Sequence, residues 1–327
     1  MPDMVETYAG PRAWWEGKSP TVKSRTLLEE GKLLNKVDMI AASGLDWTVS
    51  TQPVFVTGDH AQQVKGYRAI VRDTDGSVFG IVSDTYHPIQ NDVVFDLPER
   101  VIDESDTAHF ETAGSLFGGK IVWSLLSLAE KDSIRIAGDP SPYNLRMLVS
   151  TGHDGRHALR ADTVLERVLC ANTLKIAQEG AKDSISLKHT SGAEWRIGEV
   201  RNALRISFDY LETFERVAAE LQAVALTHAD VNAFLEVLIP LPPDAETSVR
   251  IENQRDAIRS LYTSSDNLDG IGQNGYRMLQ AVAEWTDHER SFGKRDGAED
   301  RRTLSILEGS AYALKTKAVK LLVPSAN

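Results

Sequence analysis

The stretch from Lys65 to Tyr86 restricts the fold more than any other. It reads KGYRAIVRD, TDG, SVFGIVSDTY, two runs rich in β-formers around a turn in which Gly76 can take a positive φ, so a hairpin is expected. LDWTVSTQPVFV precedes it, and HFETAGSLFGGKIVWSLLSL, SIRIAG, YNLRMLVSTG and HALRAD follow with the same β character. A helix over 22–43 opens the region, with Leu27, Leu33, Leu34, Val37 and Ile40 at helical spacing and Gly44 as its left-handed stop. A short second helix is expected from Asp92 to about Ile102, weakened or kinked at Pro98.

The middle of the chain changes period. Thr163-Val-Leu-Glu166 matches the capping box and predicts a helix from Thr163 to about Glu179. Leu165, Leu169, Asn172 and Ile176 would form one stripe, and Arg167, Ala171, Lys175 and Gln178 the opposite, polar face. From Glu194 to about Leu226 apolar residues return close to every seventh position, which predicts one long helix. Thr227 caps the next helix, PLPPDAETS is a linker near 240–247, and helices follow at about 246–263, 273–290 and 301–322. The fold class is therefore α+β: an antiparallel sheet with packed helices over 1–190, then an all-helical domain over 191–327.

The net charge of −11 argues against a protein that coats nucleic acid through its overall field. Any such site must be local. Between Leu145 and Arg205 ten Lys and Arg meet seven Asp and Glu, a surplus of +3 that leaves −14 for the rest. No run of 18 apolar residues suits a bilayer, and the acidic N-terminus does not suit a signal peptide. With a single cysteine, Cys170, the expected setting is the cytoplasm, away from membranes.

Candidate chemistry is thin. His153 and His157 are four apart, but Gly155 and the strand-like ALRA argue for a turn with solvated imidazoles rather than a metal site. Cys170 reads as a small buried hydrophobe, not a nucleophile. Asp73 and Asp75 are explained by turn chemistry. There is no GxxxxGK[ST], HExxH or GxSxG, and GSLFGG sits between strands rather than opening a helix. What remains is aromatics beside cations: Trp47, Tyr67 with Lys65, Arg68 and Arg72, Tyr86 with His87, and Trp123 with Lys120. On a strand, Lys65, Tyr67 and Ala69 point one way and Arg68, Ile70 and Arg72 the other. Single-strand binders use such platforms, although most of these aromatics also fit a core.

GLDWTV, the hairpin run, FETAGSLFGGKIVWSLLSL, STGHDGRHALRADTVLERVLCANTL and LQAVAEWTDH together resemble the phage/plasmid-like proteins that carry the domain of unknown function 932. The resemblance runs from about Trp14 to Leu321 and implies a phage or prophage origin without naming a reaction. A helix, a Gly–aromatic corner, a β-meander and a cationic helix are also similar to the α-β-β-β-α core of phage single-strand annealing proteins of the Sak, Erf and RecT kind. That similarity implies a ring or filament holding single-stranded DNA, with no bond broken and no cofactor. The expected phosphate contacts are Arg156, Arg160, Arg167 and Lys175, with Lys65, Arg68 and Arg72 as a second row and Lys120 beside them. Two alternatives remain: a structural or regulatory phage protein assembling through its C-terminal helices, and a metal-dependent nucleic-acid enzyme.

Overall fold

The computed structural model describes residues 34–58, 60–130, 132–175, 184–187, 197–243, 247–293 and 296–323. Helix α1, Lys36–Ser43, starts where the Asn35 side chain accepts from Asp38 N and stops at Gly44, with φ 66°. The earlier part of the helix expected over 22–43 lies outside the described residues. The hairpin forms within a three-stranded antiparallel sheet of β1 (Val49–Val56), β2 (Gln62–Arg72) and β3 (Val78–Ser83). Helix α2, Val93–Asp103, contains Pro98 as expected.

The second sheet is larger. Strands β4 (His109–Leu116), β5 (Ile121–Ser127), β7 (Pro142–Gly152), β8 (Leu159–Arg167) and β10 (Ser184–Leu187) run antiparallel in the order β10-β8-β7-β5-β4. The two-residue strands β6 (Ile134–Arg135) and β9 (Asn172–Thr173) pair with β7 and β8.

β8 overturns the helix expected from Thr163. Met147 pairs with Thr163 and Asn144 with Glu166 in an unbroken ladder. Thr163 Oγ1 lies 3.0 Å from Ser207 Oγ, and Glu166 pairs with Arg146, so neither side chain is available for a cap. A four-residue capping signal lost to eight ladder pairs and to a sequence that also alternates. Ala161 and Leu165 enter one apolar cluster, and Val164 the other. The remainder of the expected helix, 176–179, lies outside the described residues.

The C-terminal helices are α3 (Ile197–Gln222), α4 (His228–Leu238), α5 (Val249–Ser264), α6 (Gly275–Glu284), α7 (Ala298–Leu307) and α8 (Ser310–Leu322), with a π turn over Trp285–Glu289. The helix expected over 301–322 is thus two. Thr227 caps α4 as expected, in a capping box with Asp230. Of the repeat expected along α3, Phe214, Ala218 and Leu221 enter the main core and Phe208 is 45% exposed, while Ala203 and Tyr210, which are not part of that repeat, also enter the core. That core also holds Val94, Phe95 and Leu97 of α2, Met147 and Val149 of β7 and Met278 to Ala283 of α6. It is continuous across residue 190. On the opposite face of the large sheet Trp123, Leu125, Leu148 and Val164 meet Leu307. Residues 244–246 of the expected linker are outside the described set. No described helix is long and apolar enough to cross a membrane.

Candidate nucleic-acid interface

The two sheets meet at a seam built from two loops of the large sheet, 117–120 and 153–157, laid against the small one. The first loop takes three successive positive φ values: 52° at Phe117, 69° at Gly118 and 106° at Gly119. Gly119 is tightly enclosed, since a Cβ would lie 3.1 Å from side-chain atoms of Arg72, Phe79 and Trp47. Phe117, which has no glycine's freedom, is held by its N–H donating to Asp300 Oδ2 at 2.8 Å. In the second loop the backbone of Asp154 presses on β3, where a Cβ on Gly80 would stand 2.7 Å from its carbonyl oxygen.

Between the loops lies an aromatic stack. His153 is 5.8 Å from Phe79 and 5.4 Å from Trp47, ring centre to ring centre. Asn91 donates to the carbonyls of Leu45 and Trp47, so its Oδ1 is the acceptor for His153 Nε2 at 2.8 Å. Arg72 covers the outer side, 5.2 Å from the Trp47 ring and 5.3 Å from Phe79. Its guanidinium donates to Asp75 and, at 3.1 Å, to Gly118 O. Hydrogen bonding to Asp75 raises the Arg72 pKa, and hydrogen bonding to Arg72 lowers that of Asp75.

The eight expected contacts separate into three groups. Lys65, Lys120 and Arg156 are exposed. Lys120 and Arg156 belong to the seam loops, where His153 N donates to Lys120 O at 2.8 Å and Gly155 packs on Val82, and the half-buried Arg72 bonds Gly118 O of the first loop. Arg68 and Arg160 are half-buried and engaged: Arg68 bonds the side chain and carbonyl of Thr51, and Arg160 pairs with Asp162 and Glu308.

Arg167 and Lys175 are not surface cations. Arg167 is 0% exposed, clamps Asp139 through two 2.8 Å bonds and donates to Asn267 O at 2.7 Å. Lys175 is 1% exposed, donates to Leu307 O at 2.8 Å and lies 4.7 Å from the Tyr312 ring centre. With no helix to place them on a polar face, both are removed as phosphate contacts. Among the platform aromatics Trp47 and Trp123 are core, whereas Tyr67 is 54% exposed. The register Tyr67↔Ser83 and Ala69↔Ile81 puts Tyr67 and the 60% exposed Ile81 on one face, with Arg68 and Ile70 on the other. Gly66, at φ 81°, breaks the regular alternation between Lys65 and Tyr67.

A family model for the domain of unknown function DUF932 matches residues 78–309, more than two thirds of the chain. The chain belongs to that family. No curated protein and no solved structure matches it. The DUF932 match begins at the first residue of β3, so it includes Lys120, Arg156 and the aromatic partners Phe79 and His153. Arg72, Tyr67 and Lys65 lie before it. The seam therefore joins the DUF932 region to the strands that precede it.

His153 and His157 of this DUF932 chain do not converge. His153 faces Asn91, while His157 sits 3.0 Å from Ser150 Oγ and 3.1 Å from Glu308 Oε1. Among the described residues no group of three or more His, Cys, Asp or Glu is placed to hold a metal. Cys170 is buried, as the sequence suggested, in a turn after β8. Burial pushes its thiol up to about 12, although Arg167 lies 3.4 Å away. A thiol reagent at neutral pH is expected to leave native Cys170 unmodified and to label it fully in denaturant, as mass spectrometry would show. Labelling of native protein at the rate of the denatured chain would contradict its burial.

Sequence reasoning missed the buried polar partners. Tyr143 and Tyr276 both donate to Asp139 Oδ2, at 2.6 and 3.1 Å. They are 133 residues apart, and no local pattern joins them.

Proposed function

We propose that this DUF932 protein binds single-stranded DNA along the seam and anneals complementary strands, without making or breaking a bond. The observation that supports this reading is the pair of exposed cations Lys120 and Arg156 on the two loops that pack against the small sheet, whose other face carries the exposed ring of Tyr67. Cations that follow the phosphates, beside a ring on which a base can stack, are what sequence-independent recognition of a single strand requires. The seam is local, and its carboxylates are engaged. Asp73 accepts from Thr48, Asp75 from Arg72 and Ser77, and Asp154 from the backbone of Arg156 and His157.

A chain of net charge −11 would hold a polyanion only weakly through one such patch. Self-association into a ring or filament would set several patches in line, as in the phage annealing proteins its sequence resembles. Each added protomer would raise the local concentration of contacts for the rest of the strand.

Gel shifts with an oligonucleotide over a salt series test the reading. Lys120→Glu with Arg156→Glu should flatten the slope of log affinity against log salt by about 1.4, from the ~0.7 expected per single-strand phosphate contact. Tyr67→Ala should weaken binding by about 1–3 kcal/mol at every salt concentration. Lys320→Glu, also an exposed cation, is the control. Absence of binding at low salt, or a double variant that binds and anneals like the parent, would reject the proposal.

A further inference from the structure

The groove between α4 and α5 opens into a cavity of about 700 Å³, within the ~300–1,000 Å³ that small-ligand sites occupy. It is built from elements that contribute nothing to the seam. Its lining includes Val231 and Tyr262, 4% and 5% exposed, together with Leu226. The Tyr262 hydroxyl is buried without a hydrogen-bond partner among the described residues, an uncommon and costly state for a native side chain.

The polar wall is divided. Arg255 is structural: it donates from Nε and Nη2 to Ile239 O, at 3.0 and 2.8 Å, and pairs with Glu252 at 2.7 Å, tying the end of α4 to α5. Arg259 is only partly engaged. Its Nε donates to Asn232 Oδ1 at 2.9 Å and its Nη1 pairs with Asp256, which leaves the Nη2 edge without an acceptor among the described residues. That fork-shaped edge suits a phosphate or carboxylate oxygen. His228 and Glu236 complete the rim.

We propose that this cavity binds a mononucleotide. The planar base would lie against Leu226, Val231 and the Tyr262 ring, the phosphate would meet the Nη2 edge of Arg259 beside His228, and Glu236 would accept from the ribose hydroxyls. Other classes fit less well. A wholly apolar ligand leaves the Nη2 edge of Arg259 unused, and a bare anion leaves the apolar lining and most of the volume unused. A long polyanion is disfavoured by Glu236 and Glu252 at the same mouth. The inference does not depend on DNA binding at the seam.

The test uses the full-length protein, with calorimetric titration and thermal unfolding in the presence of AMP, GMP, CMP or UMP, and separately of adenosine or inorganic phosphate. At least one monophosphate should bind and raise the melting temperature, with adenosine and phosphate each weaker by about tenfold or more. Arg259→Gln should bring the monophosphate down to the level of the nucleoside. Tyr262→Phe carries an independent readout. Removing an unpartnered hydroxyl should leave the ligand-free melting temperature unchanged or raised. No monophosphate binding at millimolar concentration would overturn the proposal. So would phosphate binding as tightly as the nucleotide, an unaffected Arg259→Gln variant, or a Tyr262→Phe variant that unfolds earlier.

Discussion

Asp139→Ala is expected to abolish recovery of folded protein, or to lower its stability by about 3–5 kcal/mol where it survives. The reason is what the substitution leaves behind. Arg167 is wholly buried and its two carboxylate bonds both go to Asp139. Without Asp139 a guanidinium stays in the core with one backbone carbonyl and a thiol for company. Tyr143 and Tyr276 lose their shared acceptor as well. Against a total stability of ~5–15 kcal/mol for an ordinary domain, that is a decisive loss.

The comparison that isolates the cause is Asp139→Leu combined with Arg167→Met, which removes both charges. Urea unfolding should show the double variant more stable than Asp139→Ala, since a buried pair replaced by apolar groups costs far less than a pair broken in half. Equal losses would mean that shape, not charge, is what Asp139 supplies. The pH dependence has a definite sign. Burial alone would raise the Asp139 pKa, but the hydrogen bonds and charge of Arg167 hold it below the usual carboxylate range. A depressed folded-state pKa gives stability that is full above the unfolded value near ~3.9 and lost as pH falls through the folded one.

The same residues explain what could be read from the sequence. Strand alternation, Gly44 as a helix stop, the TDG turn and the Thr227 cap are local signals, and each decided an element correctly. Arg167 and Lys175 are different. A sequence gives arginine and lysine a strong expectation of exposure, and only a partner far along the chain reverses it. For Arg167 that partner is Asp139, 28 residues away, and for Lys175 the partners are Asp162, 13 residues away at 3.3 Å, and the carbonyl of Leu307, 132 residues away. The capping box at Thr163 failed for a related reason: its two polar groups bond to Ser207 and Arg146 instead of to a helix terminus. Of the candidate interface, the exposure of Lys65 in β2 and of Lys120 and Arg156 in loops was legible, because none of them has such a partner among the described residues. The packing of the two loops against the small sheet was not, because it depends on how two sheets meet.

The C-terminal helices are tied to the large sheet by the reciprocal of the Arg167 arrangement, and this sets an order of severity for the second prediction. Asp287, in the π turn after α6, accepts from Thr173 N at 2.8 Å and from Thr286 Oγ1 at 3.0 Å, and pairs with Lys315 of α8 at 3.0 Å. Lys315 is 0% exposed and also donates to Thr173 O at 2.5 Å. Asp287→Ala leaves a buried ammonium and an unpaired strand N–H, for a loss of about 3–5 kcal/mol. Lys315→Met leaves a carboxylate that retains two donors, and the new side chain follows the path of the old one, so its loss should be clearly smaller. Native-state hydrogen exchange should show where the damage falls. In Asp287→Ala the amides of β9 and α8 should lose protection together, while β4 and β5, held by their own ladder and by α2, keep theirs. Uniform loss across both sheets would mean that helices and sheet unfold as one unit. If Lys315→Met proved the worse of the two, the ammonium rather than the carboxylate would be the group on which this junction depends.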